Sequence, residues 1–130
     1  MPKIQAANGL DFNAARWMML AHTFNNGDQI DLHFDMPIRL IRQDRRVRGC
    51  GEKLAVTRGP IVYCLESIDH AEDIFSIQID PNSLHPELDA SILDGTLVIK
   101  GSSTIGKPLV FIPYMLWGNR GQGKMTVFVD

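Results

Sequence analysis

The sequence predicts an all-β protein, folded as a single antiparallel β-sandwich, for which a jelly-roll arrangement is one option. Short apolar segments recur along the 130 residues, and turns containing glycine or proline separate them. No segment keeps the 3.6-residue period of an amphipathic helix over three turns. We therefore expect roughly eight to ten antiparallel strands in one domain that spans residues 1–130.

The clearest predicted element is a hairpin in the first third of the chain. Residues 30–36 alternate apolar and polar side chains, the pattern of a strand with one buried face. The sequence Asn-Asn-Gly-Asp at 25–28 is typical of a tight turn, so residues 16–24 become the first strand of the hairpin. Pro37 is expected either to end the second strand or to form a bulge in it, because proline cannot donate a ladder hydrogen bond.

Further strands are predicted along the rest of the chain, each bounded by turn residues. Residues 85–93 could hold one short helical turn. The predicted strands are Leu54–Arg58, Ile61–Glu66, 74–79, 96–100, 109–114 and 125–129.

Two segments, 17–24 and 109–117, are apolar on both of their alternating sets of side chains. A strand with one face in water should alternate instead. We therefore hypothesise that these strands pack against a neighbour, either another domain or a second copy of the chain that binds through exposed apolar surface.

Charge and hydropathy exclude several classes of protein. The net charge is −2, which argues against nucleic acid as a partner. No apolar run approaches the ~20 residues that cross a bilayer, so no membrane role is predicted. The first residues lack the apolar region of a secretory signal, which favours the cytoplasm over secretion.

The charges are nevertheless unevenly placed. Five arginines lie within residues 39–48, whereas residues 66–94 contain eight acids and no lysine or arginine. Two interpretations stay open: solvated segments that pair within the fold, or an electrostatic surface on which another domain docks.

The residues that carry chemistry form no recognised catalytic or metal motif. Glu66 and Asp69 could supply paired carboxylates for glycosidic cleavage, but adjacent acids at a strand end are commonly a solvated loop. Cys50 and Cys64 fit no metal motif, and a bridge between them stays open. The glycine-rich segment 118–123 precedes a strand and not a helix, so a β-turn is favoured over a phosphate cradle.

Three aromatic residues allow two interpretations. Trp17, Tyr114 and Trp117 could form a flat platform for sugars, or they could belong to the core. Their position in apolar runs favours the core.

Several motifs in order resemble glycoside hydrolase family 127, which includes bacterial β-L-arabinofuranosidases. The string RGPIVYCLE at 58–66 is similar to one family segment, and IPYMLWGNRG at 112–121 followed by MTVF at 125–128 resembles its ending. NGD at 26–28 and DMPIR at 35–39 resemble a third segment, with Phe24 standing where a tryptophan is expected. The resemblance covers about residues 16–129.

This resemblance implies a domain of a larger hydrolase. In that family the catalytic unit is an (α/α)6 barrel preceding this region, with a cysteine nucleophile, a glutamate acid/base and a zinc ion. No stretch here matches the barrel, so the resemblance implies no catalytic residue, metal or cofactor in this chain, and Cys64 belongs to the sandwich motif. The expected partner is the barrel of the same polypeptide.

The expected role is that of a non-catalytic accessory domain that stabilises the barrel. The alternatives are a module that binds arabinose-containing glycans and a stand-alone small hydrolase. Residues expected to hold the sandwich together or to contact the barrel are Arg58, Gly59, Pro60, Tyr63, Glu66, Tyr114, Trp117, Asn119 and Arg120. Arg58 or Arg120 is expected to bond backbone carbonyls or a carboxylate such as Glu66.

Overall fold

The structure, a computed structural model, describes residues 3–5, 23–44, 46–47 and 51–130. The chain clusters into two units, Met1–Asp35 and Met36–Asp130, and each is described by itself. The single domain over residues 1–130 stays a prediction. In the described residues the strands are β1 (Lys3–Gln5), β2 (Gln29–Asp31), β3 (Ile38–Arg42), β4 (Leu54–Arg58), β5 (Ile61–Glu66), β6 (His85–Asp89), β7 (Thr96–Ser102), β8 (Pro108–Pro113), β9 (Met125–Thr126) and β10 (Phe128–Val129).

The first unit contains a parallel strand pair. Strand β1 pairs with β2, with Ile4 opposite Ile30, so the antiparallel prediction is wrong for this pair. The predicted turn at 25–28 is present, and the backbone N–H of Asp28 donates to the carbonyl of Asn25 at 3.1 Å. Of the predicted hairpin, residues 16–22 lie outside the described residues, and the predicted strand 30–36 is reduced to β2.

The second unit is an antiparallel sheet of eight strands. Its order is β10-β4-β5-β8-β7-β6, with β3 also paired to β4 and β9 also paired to β5. Hairpin partners β4 and β5 pair only near their turn, and farther along β10 pairs with β4 and β9 pairs with β5. Strand β3 pairs along one edge of β4. The C-terminal strands β10 and β9 therefore pair with the parts of β4 and β5 that no longer pair with each other.

Gly59 makes the turn between β4 and β5 possible. Its φ of +55° lies in the left-handed region, and a Cβ atom at this position would meet the Met36 side chain at 2.9 Å. The backbone angle therefore favours glycine, and a side chain here would also have to displace the end of Met36. Pro60 follows in an exposed position and leads into β5.

The sheet of the second unit buries side chains on both of its faces. One face packs beneath apolar residues of the segment 74–79, and its centre includes Val56, Tyr63, Leu65, Ile99, Leu109, Phe111, Val129, Ile74, Ile77 and Ile79. The other face buries Cys64, Val98, Ile112 and Ile92, against which Val110, Leu116, Met125 and Val127 pack. The doubly apolar pattern of β8 is therefore explained within the chain as far as Ile112.

Comparison with the predicted elements confirms the all-β class. Strands β4 and β5 have the predicted bounds. The sheet curls without forming a demonstrated second layer, so the sandwich stays a prediction.

Two predicted elements are wrong. Residues 74–76 form turns and a bend, and Ile79 makes a bridge to Ser103 instead of a strand. Backbone groups of residues 77–79 bond Asp130 and Thr104, while the isoleucines pack on the face of the sheet. In the segment 85–93, where the sequence allows a helical turn, residues 85–89 form strand β6 and residues 90–93 form turns and a bend. Strand β6 tolerates Pro86 because it lies at a sheet edge. Across the described ranges, no helix has the length and apolarity that crossing a bilayer requires.

Candidate functional site

The best-defined group of charged side chains joins the end of β5 to the loop after β8. We call Glu66, Asp69 and Arg120 the arginine–carboxylate cluster. The guanidinium of Arg120 donates from Nη1 to Asp69 Oδ1 at 2.8 Å and from Nη2 to Asp69 Oδ2 at 2.5 Å. Nη2 also donates to Glu66 Oε2 at 2.5 Å. The three side chains are only 16% (Arg120), 7% (Glu66) and 15% (Asp69) exposed.

The local fold places both carboxylates beneath one loop. Glu66 ends β5, and the 3₁₀ turn Ser67–Asp69 follows it directly, so Asp69 lies close to Glu66. The second oxygen of Glu66, Oε1, accepts the backbone N–H of Gly118 at 2.7 Å. The Glu66 carboxylate therefore pairs with the charge of Arg120 and also accepts a backbone N–H from the loop that carries Arg120.

His70 extends these contacts to β8. The backbone N–H of Val110 donates to His70 Nε2 at 3.2 Å, and His70 Nδ1 lies 2.7 Å from the carbonyl oxygen of Glu66. Because Nε2 accepts, the proton must lie on Nδ1, which donates to Glu66. The neutral imidazole thus links the turn to the sheet, a role that the scattered histidines of the sequence do not signal.

The electrostatics of the cluster favour permanent charge over proton transfer. Hydrogen bonds to Asp69 and then to Glu66 raise the pKa of Arg120 above its already high ordinary value, although burial opposes the shift. Both carboxylates are largely buried and share one cation. The cluster therefore holds two segments together, and the prediction that Glu66 and Asp69 form a solvated loop is wrong.

Cys64 has no access to solvent and no reactive environment. It is a free thiol, fully buried in β5. Burial, and next the charge of Glu66, raises the pKa of the Cys64 thiol to about 12. Since the thiolate is the nucleophilic form, this cysteine is inert at neutral pH. Cys50 itself lies outside the described residues.

Among the residues that the structure describes, no three His, Cys, Asp or Glu side chains are placed to hold a metal ion. The expectation that the chain uses no cofactor stays a prediction.

The predicted contact residues fall into two groups. Glu66, Asn119 and Arg120 meet at the cluster, where the Asn119 side chain donates to the carbonyl of Leu116 at 3.0 Å. Tyr114 and Trp117 flank the same loop and are 46% and 44% exposed, so their assignment to the core is wrong. Sequence reasoning did not anticipate the bidentate bond of Asp69.

The second group lies at the other end of β5. Arg58, Gly59 and Pro60 form the β4–β5 turn, and buried Tyr63 donates its hydroxyl to the carbonyl of Leu97 at 3.1 Å. Arg58 Nη1 lies 3.8 Å from Met36 Sδ, and its buried Nε has no hydrogen-bond partner among the described residues. Of the two arginines offered as partners for Glu66, the structure selects Arg120.

The arginine-rich segment makes local ion pairs where it is described. Arg42 pairs with Glu52 at 2.7 Å, and Arg46 pairs with Asp44 at 2.6 Å, all with exposed side chains. Arg45, Arg48 and the Trp17 of the suggested sugar platform lie outside the described residues.

Known proteins match the second unit. The profile of the glycoside hydrolase family 127 C-terminal domain matches residues 38–130. The non-reducing end β-L-arabinofuranosidase of Bifidobacterium longum subsp. longum is 28% identical over 133 residues, which covers 80% of this chain and 20% of that enzyme.

Solved structures agree. A family 127 β-L-arabinofuranosidase from Geobacillus stearothermophilus T6 has a TM-score of 0.66 at 30% identity, covering 73% of this chain and 18% of its own. A second family 127 β-arabinofuranosidase has a TM-score of 0.66 at 31% identity and covers 75% and 18%. The chain thus spans about a fifth of the length of these relatives. With the profile match, these similarities show that the chain belongs to the C-terminal domain family of glycoside hydrolase family 127.

Proposed function

We propose that this chain is a non-catalytic accessory domain of an arabinofuranosidase-like hydrolase and stabilises the catalytic part of that enzyme by packing against it. One observation carries the proposal: within the part of the chain that the structure describes, the paired carboxylates and the thiol that resembled glycosidase chemistry belong to the interior of the domain. Glu66 and Asp69 bond Arg120, and Cys64 is a buried thiol.

The geometry of the carboxylates argues against cleavage of a glycoside by this chain. Such a reaction uses one carboxyl group as an acid and another as base or nucleophile, and both must reach the sugar. Here Glu66 and Asp69 accept from the same nitrogen of Arg120 and lie beneath a loop. Neither is free to exchange a proton with a substrate.

The greater length of the related enzymes supports the accessory role. The matched relatives named as arabinofuranosidases carry about four-fifths of their length outside the region similar to this chain. The family resemblance makes that remainder a helical (α/α)6 barrel, which we propose as the partner. The substrate class proposed for the whole enzyme is the arabinofuranosides named for those relatives.

An activity assay tests the proposal. The chain, incubated with an aryl β-L-arabinofuranoside, should release no phenol above the buffer rate, and Glu66→Gln and Cys64→Ser should behave in the same way. Turnover that Glu66→Gln abolishes while Glu87→Gln retains it would contradict the proposal, because Glu87 lies at an exposed edge far along the sheet order.

A module that binds arabinose-containing glycans is the second candidate, favoured by the exposure of Tyr114 and Trp117. Aromatic faces in solvent can stack on sugar rings. Titration with arabino-oligosaccharides should shift the indole resonance of Trp117 if this candidate is correct, and it should leave the resonance unmoved if the chain is only an accessory domain.

A further inference from the structure

We infer that four apolar side chains at one end of β5 and β8 form the surface through which this chain packs on the rest of a family 127 hydrolase polypeptide. We call Val62, Tyr114, Met115 and Trp117 the docking patch. The inference rests on the proposed accessory function and adds the place of contact.

The register of the sheet brings the patch together. Tyr63 pairs with Pro113 in the β5–β8 ladder, so one step farther along the antiparallel register Val62 lies beside Tyr114. Met115 and Trp117 follow Tyr114 within the next three residues of the chain. The exposed fractions are 38% for Val62, 68% for Met115 and 44% for Trp117.

Exposure begins abruptly at the end of β8. Phe111, Ile112 and Pro113 at the end of the strand are all buried, and the chain then enters the 3₁₀ turn Tyr114–Leu116. Leu116 turns inward and packs against the second core face, whereas its neighbours on either side point into solvent. The turn therefore presents large apolar groups in water although the core is already filled.

The loop that presents the patch is held rigidly from below. The Trp117 N–H donates to the carbonyl of Tyr114 at 3.3 Å, and the Gly118 N–H donates to Glu66 at 2.7 Å. Arg120 then fixes the loop to both carboxylates of the arginine–carboxylate cluster. A surface that is already ordered loses little conformational entropy on binding, which favours association.

The composition of the patch favours a protein partner over a glycan. A sugar site needs polar groups placed beside its aromatic faces. Met115 is the most exposed member and, like Val62, offers no donor to a hydroxyl. The nearby Gly118 N–H and one N–H of the Asn119 side chain are engaged within the loop, so the donors of the patch are the Tyr114 hydroxyl and the Trp117 indole N–H.

The length of the relatives identifies which protein covers the patch. In them the region similar to this chain is a C-terminal domain that makes up about a fifth of the polypeptide, so most of each chain lies outside it. That remainder of the same polypeptide is always present at the domain, whereas a second copy of this chain would have to be recruited from solution.

A footprinting experiment tests the inference. In a chimera, this chain replaces the matching C-terminal fifth of the Geobacillus enzyme, and hydroxyl-radical labelling is read residue by residue against the isolated chain. We expect at least tenfold slower labelling of Met115 and Trp117 in the chimera. Ile105, which is 73% exposed and lies outside the patch, serves as the control and should label equally in both.

Matched variants sharpen the result. Met115→Glu should lower the thermal midpoint of the chimera, whereas Ile105→Glu should not, and neither should change the midpoint of the isolated chain. Protection of other surface residues with none at Met115 would overturn the docking patch but leave the accessory function standing. A chimera in which no residue of this chain is protected would overturn both. Protection in the isolated chain, together with a dimer in sedimentation that Met115→Glu abolishes, would replace the proposed partner with a second copy.

Discussion

Two regions of the second unit each combine one cation with two carboxylates. The arginine–carboxylate cluster lies beneath the loop after β8. The other, which we call the edge cluster (Glu87, Asp89 and Lys100), lies on β6 and β7 at the edge of the sheet. Lys100 Nζ is 2.8 Å from Glu87 and 3.1 Å from Asp89. The two regions thus use the same charges at similar distances.

Their surroundings differ. Glu66 is 7% exposed, whereas Glu87 is 47% exposed. The guanidinium of Arg120 bonds Asp69 with two parallel hydrogen bonds, a geometry that the single ammonium of Lys100 cannot reproduce. Both clusters also satisfy a backbone group: the Gly118 N–H donates to Glu66 at 2.7 Å, and the Ser91 N–H donates to Asp89 at 3.0 Å. Equal charge content therefore does not mean equal importance, because water screens the exposed Glu87–Lys100 pair, whereas the buried Glu66–Arg120 pair joins segments 54 positions apart.

The largest expected effect comes from removing each cation. Arg120→Met leaves two largely buried carboxylates without a counter-charge, and we expect a loss of about 3–5 kcal/mol in the free energy of unfolding. Urea unfolding measures it, and hydrogen exchange should show the Gly118 amide losing protection. Lys100→Met is the matched control, with a much smaller effect. Equal losses for the two variants would contradict the comparison.

Arg120→Lys sharpens the same test, because it keeps the charge and removes the two-pronged bond to Asp69. It should recover only part of the stability that Arg120→Met loses. Full recovery would show that charge alone, without geometry, holds the loop.

Replacing a glutamate by glutamine should have an intermediate effect in the arginine–carboxylate cluster and almost none in the edge cluster. In Glu66→Gln one side-chain oxygen becomes an NH₂ group, which faces either the Gly118 N–H or Arg120, so a donor meets a donor. An unsatisfied buried group of this kind costs about 1–3 kcal/mol in unfolding free energy. Glu87→Gln, whose side chain can turn to water, should leave the denaturation midpoint nearly unchanged. A larger shift for Glu87→Gln would reverse the ranking.

The smallest expected effect is the acid response of the edge cluster. The pKa of Asp89 is lowered from 3.8 to about 2, first by the hydrogen bonds from Ser91 and then by Lys100. Because the folded state holds the lower pKa, this contribution to stability is present above about pH 4 and is lost as the pH falls towards 2. The ¹³C shift of the Asp89 carboxyl should titrate near 2.

Asp89→Asn provides the control for that titration. Its difference in unfolding free energy from the parent chain should shrink between pH 4 and pH 2. A difference that stays constant over this range would show that the carboxylate charge does not stabilise the edge.

Local pattern predicted the strands with clear boundaries and failed where packing decided the conformation. Strands β4 and β5 follow from β-branched apolar runs on either side of the Gly59–Pro60 turn. The isoleucines of 74–79 look like a strand but serve as a cover for the sheet. Segment 85–89 carries Pro86 and few apolar residues, and it becomes a strand only because β7 offers it an edge.

The sequence by itself determined the all-β class, the β4–β5 turn and the family, since these depend on residue type, period and the order of motifs. Tertiary structure alone decided which arginine meets Glu66, since Arg120 lies 54 positions away and sequence offers Arg58 equally. It also decided that Asp69 joins them, that His70 bridges to β8, and that Phe111 and Ile112 are buried whereas Met115 and Trp117 are exposed. Those outcomes depend on strand pairing between distant segments, which sets distances and solvent access that no local pattern encodes.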